Sequence, residues 1–486
     1  MKFLFTIFAT AIFLCQSVLA VEQPNIILIF VDDLGWKDVG YQGSDFNETP
    51  RLDALAKEGM VFTAAYASAG NCAPSRACLL SGNYTPRHHV YAVGSTDRGP
   101  KASQRLIPIP NRSGIARENV TIADVLKAAG YRTGHFGKWH LAGNEGSLPS
   151  EQGFDVTFDS VGGELPEGKA GNKAGLPEDP KGVFSLTRKA CEFIEENKKG
   201  PFFCYLAHHA PHSPYQAKPE TLEHFKSKPP GKQHSKPLYA GCVFDLDASI
   251  GMLLDKLKEL DLEKNTLVVF TSDNGGVVGI SQEPLRGNKG SYYEGGIREP
   301  MIVRWPGVTK PGSRCDVPVI NVDFFPTFLA AAGAKPPEGK VLDGGNLRGL
   351  FDGRQELTRQ SIFWHFPGYL DTPVLRGREL DVRTGFRSRP VSVIRKGNWK
   401  LHLYHEEWQL DGGREKLNGN RAVELYDLVN DTGERNDLAA ANPEKRDELL
   451  NDLLAWIKET DAPIPDKPNP QFDPAAVVSA KPKTKD

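Results

Sequence analysis

Asn25-Ile26-Ile27-Leu28-Ile29-Phe30-Val31, closed by Asp32-Asp33, is the stretch from which the architecture can be read. Its apolar residues run without polar alternation, the pattern of a strand covered on both faces, as in the parallel sheet of an α/β protein. In open α/β sheets ligands gather beyond the carboxyl ends of the strands, so two carboxylates there stand where a cation can be held. As residues alone they fit a turn cap equally well.

Upstream, Lys2, an apolar run from Phe3 to Leu14, and Val18-Leu19-Ala20 before Val21 have the form of a cleavable secretory signal spanning 1–20. The expectation is an exported protein, periplasmic or secreted, with no membrane span: the leader's run is too short, and no other stretch is expected to approach spanning length. The chain has 486 residues, 39% hydrophobic and 25% charged, enough for a large core and a second unit. Lys and Arg total 59 against 61 Asp and Glu, so no global field draws in nucleic acid, and an anionic substrate must be held by local charges. Of seven cysteines, Cys15 falls in the leader; the spacing of the others matches neither a disulfide framework nor a zinc site.

Downstream, Thr49 to Gly59 has the Thr cap, first-turn Pro, apolar spacing and closing Gly of a short helix. It leads to Cys72-Ala73-Pro74-Ser75-Arg76-Ala77-Cys78-Leu79-Leu80-Ser81-Gly82. A cysteine after a small-residue loop, with Arg76 four residues on, reads either as an activated thiol or as a buried structural cysteine. Tyr84 to Arg117 reads as surface loop, Thr121 to Gly130 as a capped helix, and Gly137-Lys138-Trp139-His140 as a strand with Lys138 and His140 on one side. Phe202 to Leu206 is a second buried strand, followed by His208, His209 and His212, whose spacing lacks the helical geometry of a zinc motif. Leu238 to Leu260 has the stripe of a core helix, and Thr266 to Phe270 is a strand emptying into Asp273-Asn274. Asp32, Asp33, Asp273 and Asn274 form an all-oxygen set suited to Ca²⁺ or Mg²⁺. Beyond Arg359 the segments shorten and alternate, as antiparallel strands do, with Lys396-Gly397-Asn398 as a tight turn and a helix from Pro443 to about Glu459. Residues 462–486 read as an extended or disordered tail.

The Cys72 segment, with Pro, Arg and Leu-Ser-Gly at fixed offsets, resembles the signature of the type I sulfatases, of the arylsulfatase A and N-acetylgalactosamine-6-sulfatase kind. Asp32-Asp33, Gly137-Lys138-Trp139-His140, His212, Asp273-Asn274, Lys289 and the segment Glu424 to Glu434 continue the likeness in order, from Asn25 to about Leu438. Two positions depart from the pattern: Ser81 stands for the usual Thr, and Asn83 for the usual closing Arg. A serine that some members place after Gly-Phe-Asp has no counterpart in 158–163, and no role is carried over for it.

The resemblance implies an alkaline phosphatase-like α/β sandwich with a large, mostly parallel mixed sheet between helices, plus a smaller C-terminal antiparallel sheet. The expected division is a catalytic domain at 21–359 and an α+β subdomain at 360–461. It also implies that a maturation enzyme converts Cys72 to formylglycine, and that residue 72 joins Asp32, Asp33, Asp273 and Asn274 around Ca²⁺, or Mg²⁺. The hydrated aldehyde would attack sulfur and carry the sulfate as a hemiester. Arg76 and Lys138 would steady the diol, His140 would take its second proton, Lys289 would contact the sulfate, and His212 would protonate the departing alcohol. The implied substrate is a sulfate ester, chiefly of a carbohydrate. A formylglycine-dependent phosphonate or phosphodiester hydrolase, or a non-catalytic binding protein on the same fold, are the alternatives. Tyr84 to Arg117 and Gly162 to Lys181 are the loops expected to choose the sugar.

Overall fold

The computed structural model describes residues 23–159, 176–354, 357–371 and 386–475, so the expected leader at 1–20 lies outside the described residues, as do the last part of the tail and most of the Gly162 to Lys181 loop. Thirteen strands are described: β1 (Asn25–Asp32), β2 (Met60–Tyr66), β3 (Arg132–Gly137), β4 (Val156–Phe158), β5 (Phe202–Pro211), β6 (Thr266–Ser272), β7 (Arg298–Arg304), β8 (Ser313–Cys315), β9 (Val319–Ile320), β10 (Ser361–Phe366), β11 (Val391–Lys396), β12 (Trp399–Tyr404) and β13 (Val423–Asp427). The first nine form one sheet in the order β4-β3-β5-β1-β6-β7-β2-β8, with β9 also on β2. All pairs are parallel except those of β7, which runs against both β6 and β2.

The apolar run of β1 explains its central place. Ile26, Leu28 and Phe30 enter the core on one face, while Ile27, Ile29 and Val31 enter the core on the other. Successive side chains point to opposite faces, so a strand with a helix layer on each side needs every position apolar. One layer holds the helix Cys72–Ser81 with Ile122–Ala128 and Phe324–Ala332; the other holds Pro50–Glu58, Val183–Asn197 and Pro237–Glu259.

Three local expectations need correction. Lys138 and His140 are not in a strand, because β3 ends at Gly137 and His140 has a left-handed φ of 63°. Thr49 does not cap the helix after it with its side chain: its hydroxyl accepts the Gly40 N–H and donates to Asp53. The 23-residue helix Pro237–Glu259 is long and apolar enough to cross a membrane. It is instead a core helix, with Leu246, Ile250, Leu253 and Leu257 packed under the sheet.

β10 to β13 form a four-stranded antiparallel sheet joined in sequence, and the helix Pro443–Glu459 packs on it. Gly397, at φ 57°, makes the two-residue turn between β11 and β12, where the primed hairpin turns require positive φ. Residues 462–475 return along 101–107: Ile107 donates to the Lys467 carbonyl and Asn469 to that of Arg105. All six described cysteines are free thiols.

The small sheet is locked to the large one by buried charge. Lys400 on β12 lies 3.0 Å from Glu294 and 2.9 Å from Glu434, all three side chains without exposure. His402 adds a contact to Glu434 at 3.3 Å, and Tyr66 at the end of β2 donates to Glu294 at 2.7 Å. Burial would raise the Glu434 carboxyl, but Lys400 and His402 outweigh it and hold it below its ordinary value. A carboxyl depressed in the folded state stabilises above its unfolded pKa of about 4.3, and that contribution is lost as pH falls toward the lower folded value. Lys400→Met should therefore cost about 3–5 kcal/mol in denaturant unfolding at pH 7, because two buried carboxylates lose their partner. The difference from wild type should shrink below about pH 4.3, where protonation relieves the Glu434 carboxylate.

Candidate active site and metal centre

Topology gathers the site. β3, β5, β1 and β6 are neighbours and parallel, so their carboxyl ends share one edge of the sheet. Lys138 follows β3, His212 follows β5, Asp32-Asp33 close β1, and Asp273-Asn274 follow β6. Since β7 reverses direction between β6 and β2, the end of β2 reaches the same edge, and the chain then enters the helix that begins with Cys72. Lys289 comes from the loop that leads into β7. At Gly137, φ is 110° and a Cβ would stand 2.0 Å from the Ala207 carbonyl oxygen, so glycine is needed to turn the chain from β3 to Lys138.

The side chains interlock. Arg76 donates from Nε (3.0 Å) and Nη2 (2.8 Å) to Asp273 Oδ2, and from Nη1 to the Lys138 carbonyl at 2.9 Å. Asp273 Oδ1 accepts the Asp33 N–H at 3.1 Å, and Asp33 holds φ 69°. Lys138 Nζ reaches Asp32 Oδ2 at 2.5 Å. Lys289 Nζ lies 2.7 Å from Asp33 Oδ1 and 3.1 Å from Cys72 Sγ. Asn274 donates to Asp33 Oδ1 at 2.8 Å. His212 Nδ1 is 2.6 Å from the Ser213 carbonyl, which marks it as the protonated nitrogen, and Nε2 lies 3.7 Å from Asp33 Oδ2.

Charge decides what each group can do. Burial would raise the Asp32 carboxyl, but Lys138, then His212 and Lys289, hold it well below the usual range. Asp273 moves the other way, raised by burial and by the charge of Asp32 against the pull of Arg76. Burial, then Asp32, pushes the Cys72 thiol up to about 12 despite Lys138 and Lys289. The activated-thiol reading is thereby corrected: an unmodified Cys72 is a neutral thiol at physiological pH. Burial, then Lys138, lowers His140 to about 3, so its imidazole is neutral at physiological pH. His212 is lowered by burial against Asp32 and Asp33.

The residues fit a hard cation. Ligand atoms of Asp32, Asp33, Cys72 and Asp273 all lie within 4.8 Å of one another. Asp32 Oδ1 and Asn274 Oδ1 are buried without a hydrogen-bond partner. Orphaned buried oxygens are costly, and a divalent cation satisfies them. All ten sequence candidates thus fall in this region, where Asp32, Cys72 and His212 form a second, overlapping group of possible ligands. Lys181, buried at φ 57°, and Arg387, whose Nη1 is 3.5 Å from the Lys289 carbonyl, were not foreseen. Single charged residues in loops carry no periodicity or spacing that would have marked them.

Carboxylates, lysines, an arginine and histidines converging at the strand ends define a hydrolase for anionic esters. The family model described as Sulfatase matches residues 24–334, and one described as N-sulphoglucosamine sulphohydrolase, C-terminal, matches residues 288–385. A protein named Sulfatase from Formosa agariphila is 32% identical, over 91% of this chain and 90% of its own. Arylsulfatase A of Homo sapiens is also 32% identical, over 89% and 87%. The solved structure of Ps i-CgsB in complex with k-i-k-neocarrahexaose is 31% identical, with a TM-score of 0.70, over 92% of this chain and 95% of its own. The chain belongs to the sulfatase family; it is a sulfuric ester hydrolase with an alkaline phosphatase-like fold.

Asn274→Ala tests the metal fit without leaving a charge unpaired. Purified variant should show reduced divalent-metal content by elemental analysis, with an unchanged far-UV circular dichroism spectrum.

Proposed function

We propose that the protein removes sulfate from a sulfated carbohydrate, with Cys72 converted to formylglycine and Ca²⁺, or Mg²⁺ in its place, held by Asp32, Asp33, Asp273, Asn274 and residue 72. The observation that carries this reading is the meeting of Cys72 with the orphaned oxygens of Asp32 and Asn274 in a buried cluster ringed by Arg76, Lys138 and Lys289. A carbohydrate is favoured because a 31% identical structure was solved with an oligosaccharide bound and the C-terminal match is to a sulphoglucosamine sulphohydrolase.

A bound cation would supply positive charge beside the nucleophile and the ester oxygens. Formylglycine would supply, once hydrated, an oxygen nucleophile in place of a thiol that burial keeps neutral. The chain's own groups then divide the work. Arg76, fixed by Asp273, and Lys138, fixed by Asp32, hold positive charge at residue 72. Lys289 faces the sulfate oxygens and offsets the charge that develops as the S–O bond breaks. His140, neutral, takes the proton that must leave residue 72 before sulfate is released. His212 stands on the alcohol side, its Nδ1–H tied to the Ser213 carbonyl so that Nε2 faces the centre; as the imidazolium, the form that the charges of Asp32 and Asp33 favour, it would give its Nε2 proton to the departing alcohol.

Protein co-expressed with a formylglycine-generating enzyme should show an aldehyde at position 72 by peptide mass analysis, and should release sulfate from members of a panel of sulfated saccharides. Full activity from protein carrying only the thiol would overturn this mechanism. His212→Ala should lower kcat/KM for a sugar sulfate by about 10²–10⁴-fold, and far less for nitrophenyl sulfate, whose phenolate leaves without a proton. Equal losses on both substrates would mean that His212 is not the acid.

A further inference from the structure

Lys138, Arg76 and Lys289 each have a carboxylate partner, but the cation beside them does not. Arg387 approaches the centre across the Lys289 backbone: its Nη1 is 3.5 Å from the Lys289 carbonyl oxygen, at the limit of a hydrogen bond. Its Nε is buried without a partner, and among the described residues no carboxylate lies within ion-pair distance of it. Asp371 and Asp33 are the carboxylates whose charge it feels. Both are committed elsewhere, Asp371 to Arg98 at 2.5 Å and Asp33 to Lys289 and Asn274.

The placement is specific. Gly290, at φ 92°, leaves the room that the Arg387 side chain fills, since a Cβ there would stand 2.3 Å from Arg387 Cδ. The guanidinium is therefore seated one lysine side chain away from the Cys72 sulfur, which Lys289 Nζ touches at 3.1 Å. A guanidinium partly drawn out of water, with its Nε buried and no carboxylate beside it, gains when an anion reaches it, and its fork of donors suits oxyanions.

We propose that Arg387, with Arg98 beside it, forms a second anion subsite that receives another anionic group of the same saccharide, a sulfate or a carboxylate, while the first sulfate lies at residue 72. The inference rests on the sulfated-carbohydrate reading above and narrows it: the preferred substrate carries at least two anionic groups. Arg387 then acts in specificity, through binding, and takes no part in breaking the S–O bond.

Formylglycine-bearing enzyme should be assayed on four substrates: nitrophenyl sulfate, a monosulfated disaccharide, the same disaccharide with a second sulfate, and the same with a uronate carboxylate. Wild type should favour one of the doubly anionic sugars over the monosulfated one by about 10–100-fold in kcat/KM, chiefly through KM, the range expected for hydrogen bonds between charged groups. Which sugar is favoured identifies the second group. Arg387→Met should erase that preference, losing at least tenfold more on the favoured sugar than on nitrophenyl sulfate. Arg387→Lys should fall between, and Arg98→Ala, a change at a half-buried position already paired to Asp371, should weaken the preference less. Equal losses on all four substrates, or a wild type indifferent to the second anion, would overturn the subsite. A wild type that hydrolyses nitrophenyl sulfate but no saccharide would instead overturn the carbohydrate reading beneath it.

Discussion

The ion pair between Arg76 and Asp273 is the constraint on which the rest of the centre depends. Both side chains are without exposure, so their desolvation is offset only if the geometry is good and the remaining donors are used. Two guanidinium nitrogens grip one Asp273 oxygen, the third donor holds the Lys138 carbonyl, and the Phe30 ring lies 5.2 Å from the guanidinium carbon. One side chain thereby ties the helix carrying Cys72 to the ends of β6 and β3. Because Arg76 occupies only Oδ2, Oδ1 remains for the Asp33 N–H, and that bond supports the left-handed turn by which β1 presents a second carboxylate.

Charge balance extends the same logic. Three carboxylates in so small a buried volume would repel one another, and the raised Asp273 carboxyl shows that they do. Three fixed cations oppose them, each bonded to a different carboxylate: Lys138 to Asp32, Lys289 to Asp33, Arg76 to Asp273. The protein part of the cluster is thus near neutrality. A divalent cation and a sulfate ester with its single negative charge can then enter together without large net charge in the interior.

The fold was legible because β1 is apolar at every position, a pattern that two helix layers demand, and because hard oxygen ligands follow β1 and β6 directly. Motif residues at the ends of parallel strands inherit their positions from the sheet, so reading the strands nearly reads the site. Lys138 and His140 mark the limit of that approach. They were assigned to a strand by alternation, yet Gly137 breaks β3 and the left-handed φ of His140 re-aims its ring, a backbone change that side-chain pattern does not announce. Arg387 and Lys181 were illegible for a related reason: each belongs to the site through tertiary placement of a loop, with no strand end to fix it in sequence.

The C-terminal sheet is part of the catalytic arrangement rather than an appendage, and the loop before β7 shows how. Lys289 donates its N–H to the Gly276 carbonyl, just past Asn274, and Gly290 donates to the Gly70 carbonyl, just before Cys72. Five residues after Lys289, the Glu294 N–H donates to the Glu434 carboxylate at 2.6 Å, and the Glu294 side chain meets Lys400 of β12. One loop is therefore held at one end by the turn that carries Asp273 and Asn274 and by the approach to Cys72, and at the other by buried charges of the second sheet. Lys289 keeps its Nζ beside Asp33 and Cys72 only if its loop is fixed, since side chains on loops hold position only as well as their supports allow. Lys400 and Glu434, far along the chain from any catalytic motif, supply that support, which gives a physical reason for the smaller sheet to share a core with the larger one.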